Sequence, residues 1–282
     1  MKTKQHINKV FLFSQAENSK SLKWVKRISS WLKTNFPSVE ITDKNYQAII
    51  VLGGDGSLLK AARECKNYST IMVGLNLGNI GFLSSARDPK DFFPSLKKLL
   101  KGDFSIVERG KVEASIERNK KIIFSITALN EIAVLNPLGM AKIIVKIDNY
   151  TIQKIYGTGV ILSTATGSTA YNLSAHGPVI MPNSRNFVLT ELLDHGIPTP
   201  SIVLNENQKV AFIIKDFHKR ELLYNPKIKE KIDMTLIADG EVMRSLFKGD
   251  KIIIKRFPYT VKTAEFEKNY FLKSLQKKFS FK

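Results

Sequence analysis

Short apolar runs alternate with amphipathic patterns over the first hundred residues. Val10–Phe13 and Ala48–Leu52 are β-branched or aliphatic and are bounded by polar residues or glycine, as in strands buried on both faces. Between them, apolar residues at spacings of three and four predict one helix face: Leu22, Val25, Ile28 and Leu32. The pattern then predicts two further helices and a strand: Leu58–Cys65, Asp88–Leu100 and Ile71–Val73. This alternation predicts an α/β layer with an open, mostly parallel sheet.

From about residue 103 the pattern changes to strand-like segments, several with an alternation of period two. They read KVEASIE, KIIFSITAL, KIIVKID, KVAFIIK and KIIIKRF. The last residues, Glu265–Lys282, return to a near-helical spacing of apolar side chains. We therefore predict an α/β domain over residues 1–102, a β-rich domain over 103–258, and a tail over 259–282 that packs back on the first domain.

Length and composition narrow the class of protein. A chain of 282 residues can bury a large core, and its single cysteine, Cys65, permits no internal disulfide, which suits a reducing compartment. No apolar run approaches the roughly 18 residues of a membrane span, and the N-terminus lacks the cleavage site of a secretory signal. We expect a cytoplasmic protein without a membrane partner.

The formal net charge of +19 raises the question of a nucleic-acid partner. The surplus is +9 over residues 1–100, +3 over 101–247 and +7 over 248–282, and 35 of the 44 basic residues are Lys. Recognition of bases and phosphates favours Arg, so this distribution favours a solvated surface or a field that attracts small polyanions. We expect no nucleic-acid partner.

The strongest local feature is AIIVLGGDGSLLKAAR, residues 48–63, which predicts a buried strand, a glycine-rich turn and a helix. Ligands of open α/β sheets bind beyond the carboxyl ends of the strands, where this turn delivers Asp55. The glycines around it would let backbone N–H groups approach a phosphate: Gly53, Gly54 and Gly56. The turn matches neither the dinucleotide fingerprint nor the P-loop. A solvated turn without a ligand is the alternative interpretation.

Two further features carry polar side chains. Residues 156–178 contain a loop in which five hydroxyl side chains alternate with glycines, and such a loop can present hydroxyls to sugar and phosphate oxygens. The five are Ser163, Thr164, Thr166, Ser168 and Thr169. Alternatively, Ser168 only caps a helix. The pair Asn130–Glu131 follows the strand-like KIIFSITAL and is either a kink in a strand or a ligand contact.

Together these features resemble the NAD kinase family, which transfers a phosphoryl group from ATP or polyphosphate to NAD. The resemblance also includes NLGNIGFL at residues 76–83 and the pair Asp239–Gly240, and it covers roughly residues 48–255. GGDG alone also occurs in phosphofructokinases and in lipid kinases, but the motifs in this order are specific.

The resemblance implies roles for individual residues. Asp55 would be the catalytic base, orienting the 2′-hydroxyl of the adenosine ribose and accepting its proton late in phosphoryl transfer. The remaining implied positions contact NAD or phosphate: Gly53, Gly54, Gly56, Lys60, Asn130, Glu131, Lys142, Thr158, Thr169, Ala170, Tyr171, Ser174, Asp239 and Glu241. It also implies that Mg²⁺ arrives with ATP or polyphosphate, that no protein-only metal site is needed, and that the chain forms a homo-oligomer, a dimer or tetramer.

The chain departs from the family pattern near its hydroxyl-rich loop. Thr158 stands where the family has an acid before glycine, and Ala165 replaces a proline. The segment ELLDHGIPTPSIV, residues 191–203, also diverges. Two other hypotheses therefore stay open: a lipid kinase of the diacylglycerol or sphingosine type, and a non-catalytic protein that binds NAD or associates with nucleic acid.

Overall fold

A computed structural model describes residues 6–15, 19–78, 81–196 and 199–280. Residues 79–80 of the NLGNIGFL segment and residues 197–198 of the divergent segment lie outside the described residues. The chain divides into two compact units, Met1–Arg109 with Thr260–Lys282, and Gly110–Tyr259. Within the described ranges no helix is long and apolar enough to cross a membrane.

The first unit is an α/β layer. Its strands, numbered by their place in the chain, are β1 (Lys9–Ser14), β2 (Glu40–Ile41), β3 (Ala48–Gly53), β4 (Ile71–Asn76), β5 (Ser105–Arg109) and β20 (Val261–Glu265). Its helices are α1 (Ser19–Asn35), α2 (Asp55–Glu64), α3 (Phe92–Leu100), preceded by a 3₁₀ turn at Pro89–Asp91, and α5 (Tyr270–Phe279). The sheet order is β2-β1-β3-β4-β20-β5, parallel except where β5 runs antiparallel to β20. The predicted mostly parallel sheet is confirmed.

The C-terminal segment completes this sheet. Strand β20 lies between β4 and β5, and its pairing with β5 runs from Val261↔Arg109 to Glu265↔Ser105. The first unit therefore continues to Arg109, whereas the sequence pattern predicts that the first domain ends at residue 102. The two boundaries differ because β5 hydrogen-bonds to β20 of the first sheet, a pairing between distant residues that leaves no local pattern in the sequence.

Helix α1 faces the core largely as its aliphatic residues predict, with Val25 partly buried against the core, but Trp24 rather than Leu22 is buried. Trp24, Ile28 and Leu32 are buried, whereas Leu22 is 42% exposed. The Trp24 ring packs edge-on against Phe92 at 4.9 Å between centroids. Because an aromatic ring buries far more apolar area than a leucine side chain, Trp24 determines which face points to the core.

The second unit is built from antiparallel sheets. Its strands are β6 (Val112–Arg118), β7 (Lys121–Ala128), β8 (Glu131–Leu135), β9 (Ala141–Ile147), β10 (Tyr150–Gly157), β11 (Gly159–Thr164), β12 (Asn186–Leu192), β13 (Ile202–Asn205), β14 (Val210–Phe217), β15 (Tyr224–Asn225), β16 (Glu230–Lys231), β17 (Thr235–Ala238), β18 (Glu241–Ser245) and β19 (Lys251–Arg256). The larger sheets have the orders β10-β9-β14-β19-β6-β7 and β13-β12-β11-β8-β17-β18. The one short helix described in this unit is α4 (Tyr171–Ser174), which follows a 3₁₀ turn at Gly167–Thr169.

Apolar side chains from both large sheets form a single core in the second unit. Ile132 and Val134 of β8 belong to this core, while the alternate residues Ala133 and Leu135 belong to a separate cluster, packed with Tyr171. Strand β8 is therefore buried on both faces. Glu131 is the first residue of this strand, so its side chain lies in a largely apolar environment.

An ion pair between a buried acid and a partly exposed arginine ties together two segments of the second unit. Two nitrogens of Arg118 donate to the two carboxylate oxygens of Asp250 at 2.7 and 2.8 Å, and the Asp250 side chain is only 1% exposed. The carboxylate also accepts the backbone N–H of Phe247 at 2.8 Å. Such a bidentate pair offsets the desolvation of the acid only while both partners remain.

Replacing Arg118 with alanine is expected to lower the free energy of unfolding by about 3 kcal/mol, because Asp250 would keep a buried charge without its partner. Lys255→Ala is the control, since the ion pair of Lys255 with Glu113 lies at a more exposed position; its loss should be below about 1 kcal/mol. Urea denaturation at neutral pH measures both variants. Equal losses would contradict the interpretation.

Candidate functional site

The first candidate cluster is the GGDG turn, residues 53–56, between β3 and α2. Asp55 is the first residue of α2, where a negative side chain is favoured by the helix dipole. Its Oδ2 accepts the backbone N–H of Phe82 at 2.8 Å and its Oδ1 that of Leu83 at 3.4 Å. A methyl group at Gly81 would overlap the carboxyl group of Asp55, so glycine is required for this approach. Backbone donors therefore fix the Asp55 carboxylate.

Charged side chains of the first unit act on Asp55 from within the fold. Arg109 is 3% exposed, its Nε donates to Thr263 Oγ1 at 3.1 Å, and its guanidinium lies 4.0 Å from Glu265. Burial lowers the pKa of Arg109, and the charges of Glu265 and Asp55 oppose that effect. Arg109 was not predicted from the sequence, because a lone Arg at the end of a strand carries no motif.

The other predicted residues of this turn differ in exposure. Gly53 is buried, Gly54 is half-buried and Gly56 is exposed, so the backbone becomes accessible beyond the end of β3. Lys60 is exposed on α2, with its Nζ 4.0 Å from Glu64 in a solvated i,i+4 pair. The structure thus keeps the glycines and Asp55 together, while Lys60 lies one helical turn further along.

The second cluster centres on Asn130 and Glu131, where the chain enters β8. Asp239 and Gly240 form the two-residue turn between β17 and β18, with φ of +50° and +77°. These values are typical of a type I′ hairpin turn, which favours Asp-Gly. The Asp239 carboxylate accepts the N–H groups of Leu129 at 3.1 Å and Asn130 at 2.7 Å. Asp239 therefore fixes the backbone at the Asn130–Glu131 pair.

Glu131 is an acid with a strongly raised pKa in the second unit. Its side chain is buried, and its Oε2 makes no hydrogen bond within the described residues. Burial, followed by the nearby charge of Asp239, raises the pKa of Glu131 to about 8, although the backbone N–H of Tyr171 acts in the opposite direction. At neutral pH this carboxyl group is mainly protonated, so it can both donate and accept a hydrogen bond.

The hydroxyl loop, residues 163–171, lies against this pair. Gly167 has no room for a side chain, because a Cβ would overlap the backbone of Asn130. The hydroxyls mostly bond to the loop and its neighbour: Thr164 Oγ1 donates to Leu129 O at 2.6 Å, and Ser168 Oγ donates to Ala165 O at 2.7 Å. Ser168 does not cap α4. These buried hydroxyls hold the loop in shape, which explains their density.

Individual hydroxyls of the loop differ in their partners. The Thr169 hydroxyl donates to Thr166 O at 3.4 Å, whereas Thr166 Oγ1 is buried without a hydrogen bond in the described parts of the chain. Buried polar atoms normally have a partner, and Thr166 Oγ1 and Glu131 Oε2 are the two atoms near this loop that have none among the described residues. The sequence pattern did not distinguish Thr166 from the other four hydroxyl residues of the loop.

A cavity of about 570 Å³ opens beside α4 in the second unit. Its lining brings together three predicted residues, Thr158, Tyr171 and Ser174, and the acids Glu191 and Asp194 of the divergent segment. This volume is typical of a site for a small organic ligand. No sequence motif indicated the two acids, because their segment departs from the family pattern.

Hydrogen bonds brace the wall of this cavity. Glu191 accepts the N–H of Thr199 at 2.6 Å, and Asp194 accepts the N–H of Tyr156 at 3.3 Å. Asn172 is fully buried, and its Oδ1 accepts the hydroxyl of Thr190 at 2.7 Å. Asn172 thereby links α4 to β12, a role that its place within TAYNLS did not indicate.

The remaining predicted residues lie at different places in the second unit. Ala170 is half-buried and immediately precedes Tyr171 at the start of α4, and Glu241 is exposed at the start of β18. Lys142 lies on β9, in the other large sheet, with its Nζ 5.3 Å from the ring centroid of Tyr156. Among the described residues, no three His, Cys, Asp or Glu side chains converge into a metal site.

Comparisons with known proteins match both units. The family models described as ATP-NAD kinase N-terminal domain and ATP-NAD kinase C-terminal domain match residues 4–104 and 129–266. An NAD kinase of Lachnospira eligens is 31% identical over 263 residues, covering 91% of this chain and 89% of that protein. An NAD kinase of Tolumonas auensis is 38% identical over 219 residues, covering 77% and 70%.

Solved structures show the same fold. Yeast NADH kinase complexed with NADH superposes with a TM-score of 0.84 at 17% identity, covering 98% of this chain and 88% of that one. An NAD kinase from Archaeoglobus fulgidus in complex with ATP gives a TM-score of 0.73 at 25% identity, covering 97% and 99%.

The raised pKa of Glu131 predicts a pH dependence of stability. In the unfolded chain the pKa returns to about 4.5, so the folded protein binds the proton more tightly. The resulting stabilisation is complete below pH 4.5 and is lost as the pH rises through about 8. Glu131→Gln keeps a neutral side chain of similar shape, so its free energy of unfolding should fall less than that of the wild type over this window.

Denaturant unfolding between pH 5 and 9 measures this difference, with Glu241→Gln, at an exposed site, as the control. The control should follow the wild-type curve. Parallel curves for Glu131→Gln and the wild type would show that the carboxyl group is already ionised in the folded protein.

Proposed function

This chain belongs to the NAD kinase family, and we propose that it transfers a phosphoryl group from ATP or inorganic polyphosphate to the 2′-hydroxyl of the adenosine ribose of NAD. The observation that carries this proposal is that both family domains match the chain, together with a relative named NAD kinase that is matched over 89% of its length. The comparisons lend no support to a lipid kinase or a non-catalytic NAD-binding protein.

Asp55 is proposed as the catalytic base. A carboxylate is a weak base for an alcohol, so its main contribution is to orient the hydroxyl and accept the proton after most of the bond to the leaving group has broken. The N–H groups of Phe82 and Leu83 support this role, because they fix the orientation of the carboxylate. The exposed backbone at Gly56 supports a contact with phosphate.

The second unit is proposed to hold the nucleotide. Glu131, mainly neutral at pH 7, and Thr166 have buried oxygen atoms that need partners, and ribose hydroxyls or the adenine amino group have the matching chemistry. The cavity lined by Thr158, Tyr171 and Ser174 supports binding of an aromatic or sugar group. In this proposal Asp239 is not a direct contact of NAD but the residue that fixes Asn130 and Glu131.

Mg²⁺ is proposed to enter as part of the donor substrate. It prefers oxygen ligands and commonly bridges the phosphates of a nucleoside triphosphate, keeping several waters. The donor phosphates and water would supply most of the oxygen ligands of Mg²⁺. The ion would in turn neutralise part of the negative charge of these phosphates.

Asp55→Asn tests the function and the proposed base together. The variant should fold and bind NAD, while NADP formation should fall by about 10²–10⁴-fold, because a general base contributes that much. The assay follows NADP production by the purified chain with NAD or NADH, Mg²⁺, and ATP or polyphosphate. No NADP from the wild type with any donor would contradict the function, and near-normal turnover by the variant would contradict the role of Asp55.

We also propose that the chain works in the cytoplasm as a homo-oligomer. Edge strand β10 exposes Tyr150 by 74% and Ile152 by 45%, apolar side chains that a second copy could cover. Light scattering at assay concentration should give the molar mass of a dimer or tetramer. Ile152→Lys should reduce this molar mass. Lys154→Glu on the same strand is the control for a change of charge at this edge, and it should leave the molar mass unchanged. A monomeric wild type would contradict this proposal.

A further inference from the structure

Helix α5 is amphipathic and places an aromatic face on the first unit. Tyr270, Phe271 and Ser274 are buried, whereas Leu272 is 48% exposed. The Ser274 hydroxyl donates to Tyr270 O at 2.7 Å within the helix. The proposed function does not use this helix.

The aromatic face of α5 packs on Phe82. The ring of Phe82 lies 5.7 Å from that of Phe271 and 6.3 Å from that of Phe279, between centroids, and Lys278 Nζ lies 4.7 Å from the Phe82 ring centroid. Phe82 is 5% exposed, so α5 supplies much of the environment of its ring. The backbone N–H of this same residue makes the shorter hydrogen bond to Asp55.

Tyr270 makes a second attachment to the same segment. Its hydroxyl lies 3.3 Å from Ser84 Oγ and accepts Arg87 Nε at 3.1 Å. A terminal nitrogen of Arg87 also donates to Tyr270 O at 3.1 Å, and the guanidinium lies 4.1 Å from the Tyr270 ring centroid. Side-chain hydrogen bonds between buried groups fix relative position better than apolar contacts do.

We infer that Tyr270 and Phe271 are positioning residues for phosphoryl transfer: they hold residues 82–87 in place, so that the N–H groups of Phe82 and Leu83 orient Asp55. The inference rests on the proposed role of Asp55 as the base. Displacing a reacting group by about 1 Å can cost about 10²-fold in rate. Loosening α5 should therefore slow the chemical step without changing the side chain of Asp55.

The main test is Tyr270→Phe, which keeps the ring and removes the hydroxyl that joins Ser84 and Arg87. We expect kcat to fall by about tenfold. The KM for NAD should change by less than about twofold, because Glu131, Thr166 and the cavity proposed to hold the nucleotide belong to the second unit. Leu272→Ala, on the exposed side of the same helix, should retain wild-type kcat and KM.

Phe271 provides a second variant in case the first alters folding. Phe271→Ala should lower kcat and Phe271→Leu should restore most of it, with circular dichroism and urea unfolding used to choose a temperature at which all variants are folded. Hydrogen exchange at the Phe82 and Leu83 amides should be faster in Tyr270→Phe than in Leu272→Ala. This last readout does not depend on activity.

Two results overturn these ideas separately. Wild-type kcat in both folded variants, with unchanged exchange at Phe82 and Leu83, would overturn the positioning role alone. A wild-type chain that forms no NADP with any donor would overturn the proposed function, and the positioning role with it, whatever the exchange data show.

Discussion

Backbone N–H groups hold the carboxylates on which both candidate clusters depend. Asp55 receives the N–H groups of Phe82 and Leu83, and Asp239 receives those of Leu129 and Asn130. An N–H donor directs a carboxylate without carrying a full positive charge, so the acid stays available to a further partner. Its position is set by the path of the main chain, and therefore by the strands and helices that fix that path.

Periodicity predicted most elements of the first unit, because a run such as AIIVL or a stripe of apolar residues reports burial directly. It could not show that β20 joins the first sheet, since pairing between residues so distant in sequence leaves no local pattern. The periodicity of apolar residues also predicted that Leu22 is buried, whereas Trp24 is buried instead. Side-chain size, and not hydrophobic spacing alone, decides which residues of a helix are covered.

The motifs predicted which residues form the clusters better than they predicted what each residue does. Asp55 and Glu131 were found from their sequence context, although their roles in catalysis and binding stay predictions. The hydroxyl loop was expected to present its hydroxyls to a ligand, but most of them donate to backbone carbonyls of the loop or of the adjacent residues 129–130. Arg109 and Tyr270 carry no motif, because their contacts join β5 and α5 to residues far away in the chain.

The surplus of basic residues belongs mostly to one unit. The first unit carries 24 basic and 11 acidic side chains, so it holds 13 of the total surplus of 19 positive charges.

The position of β20 inside the first sheet has a consequence for biogenesis. Residues 110–259 form a contiguous unit, so they can fold as soon as they leave the ribosome, whereas the sheet of the first unit lacks a central strand until residues 261–265 have been made. The N-terminal unit is thus the last to be completed, against the usual order of synthesis. Until then β4 and β5 have unpaired edges, which is the stage at which a nascent chain of this topology most needs protection from aggregation.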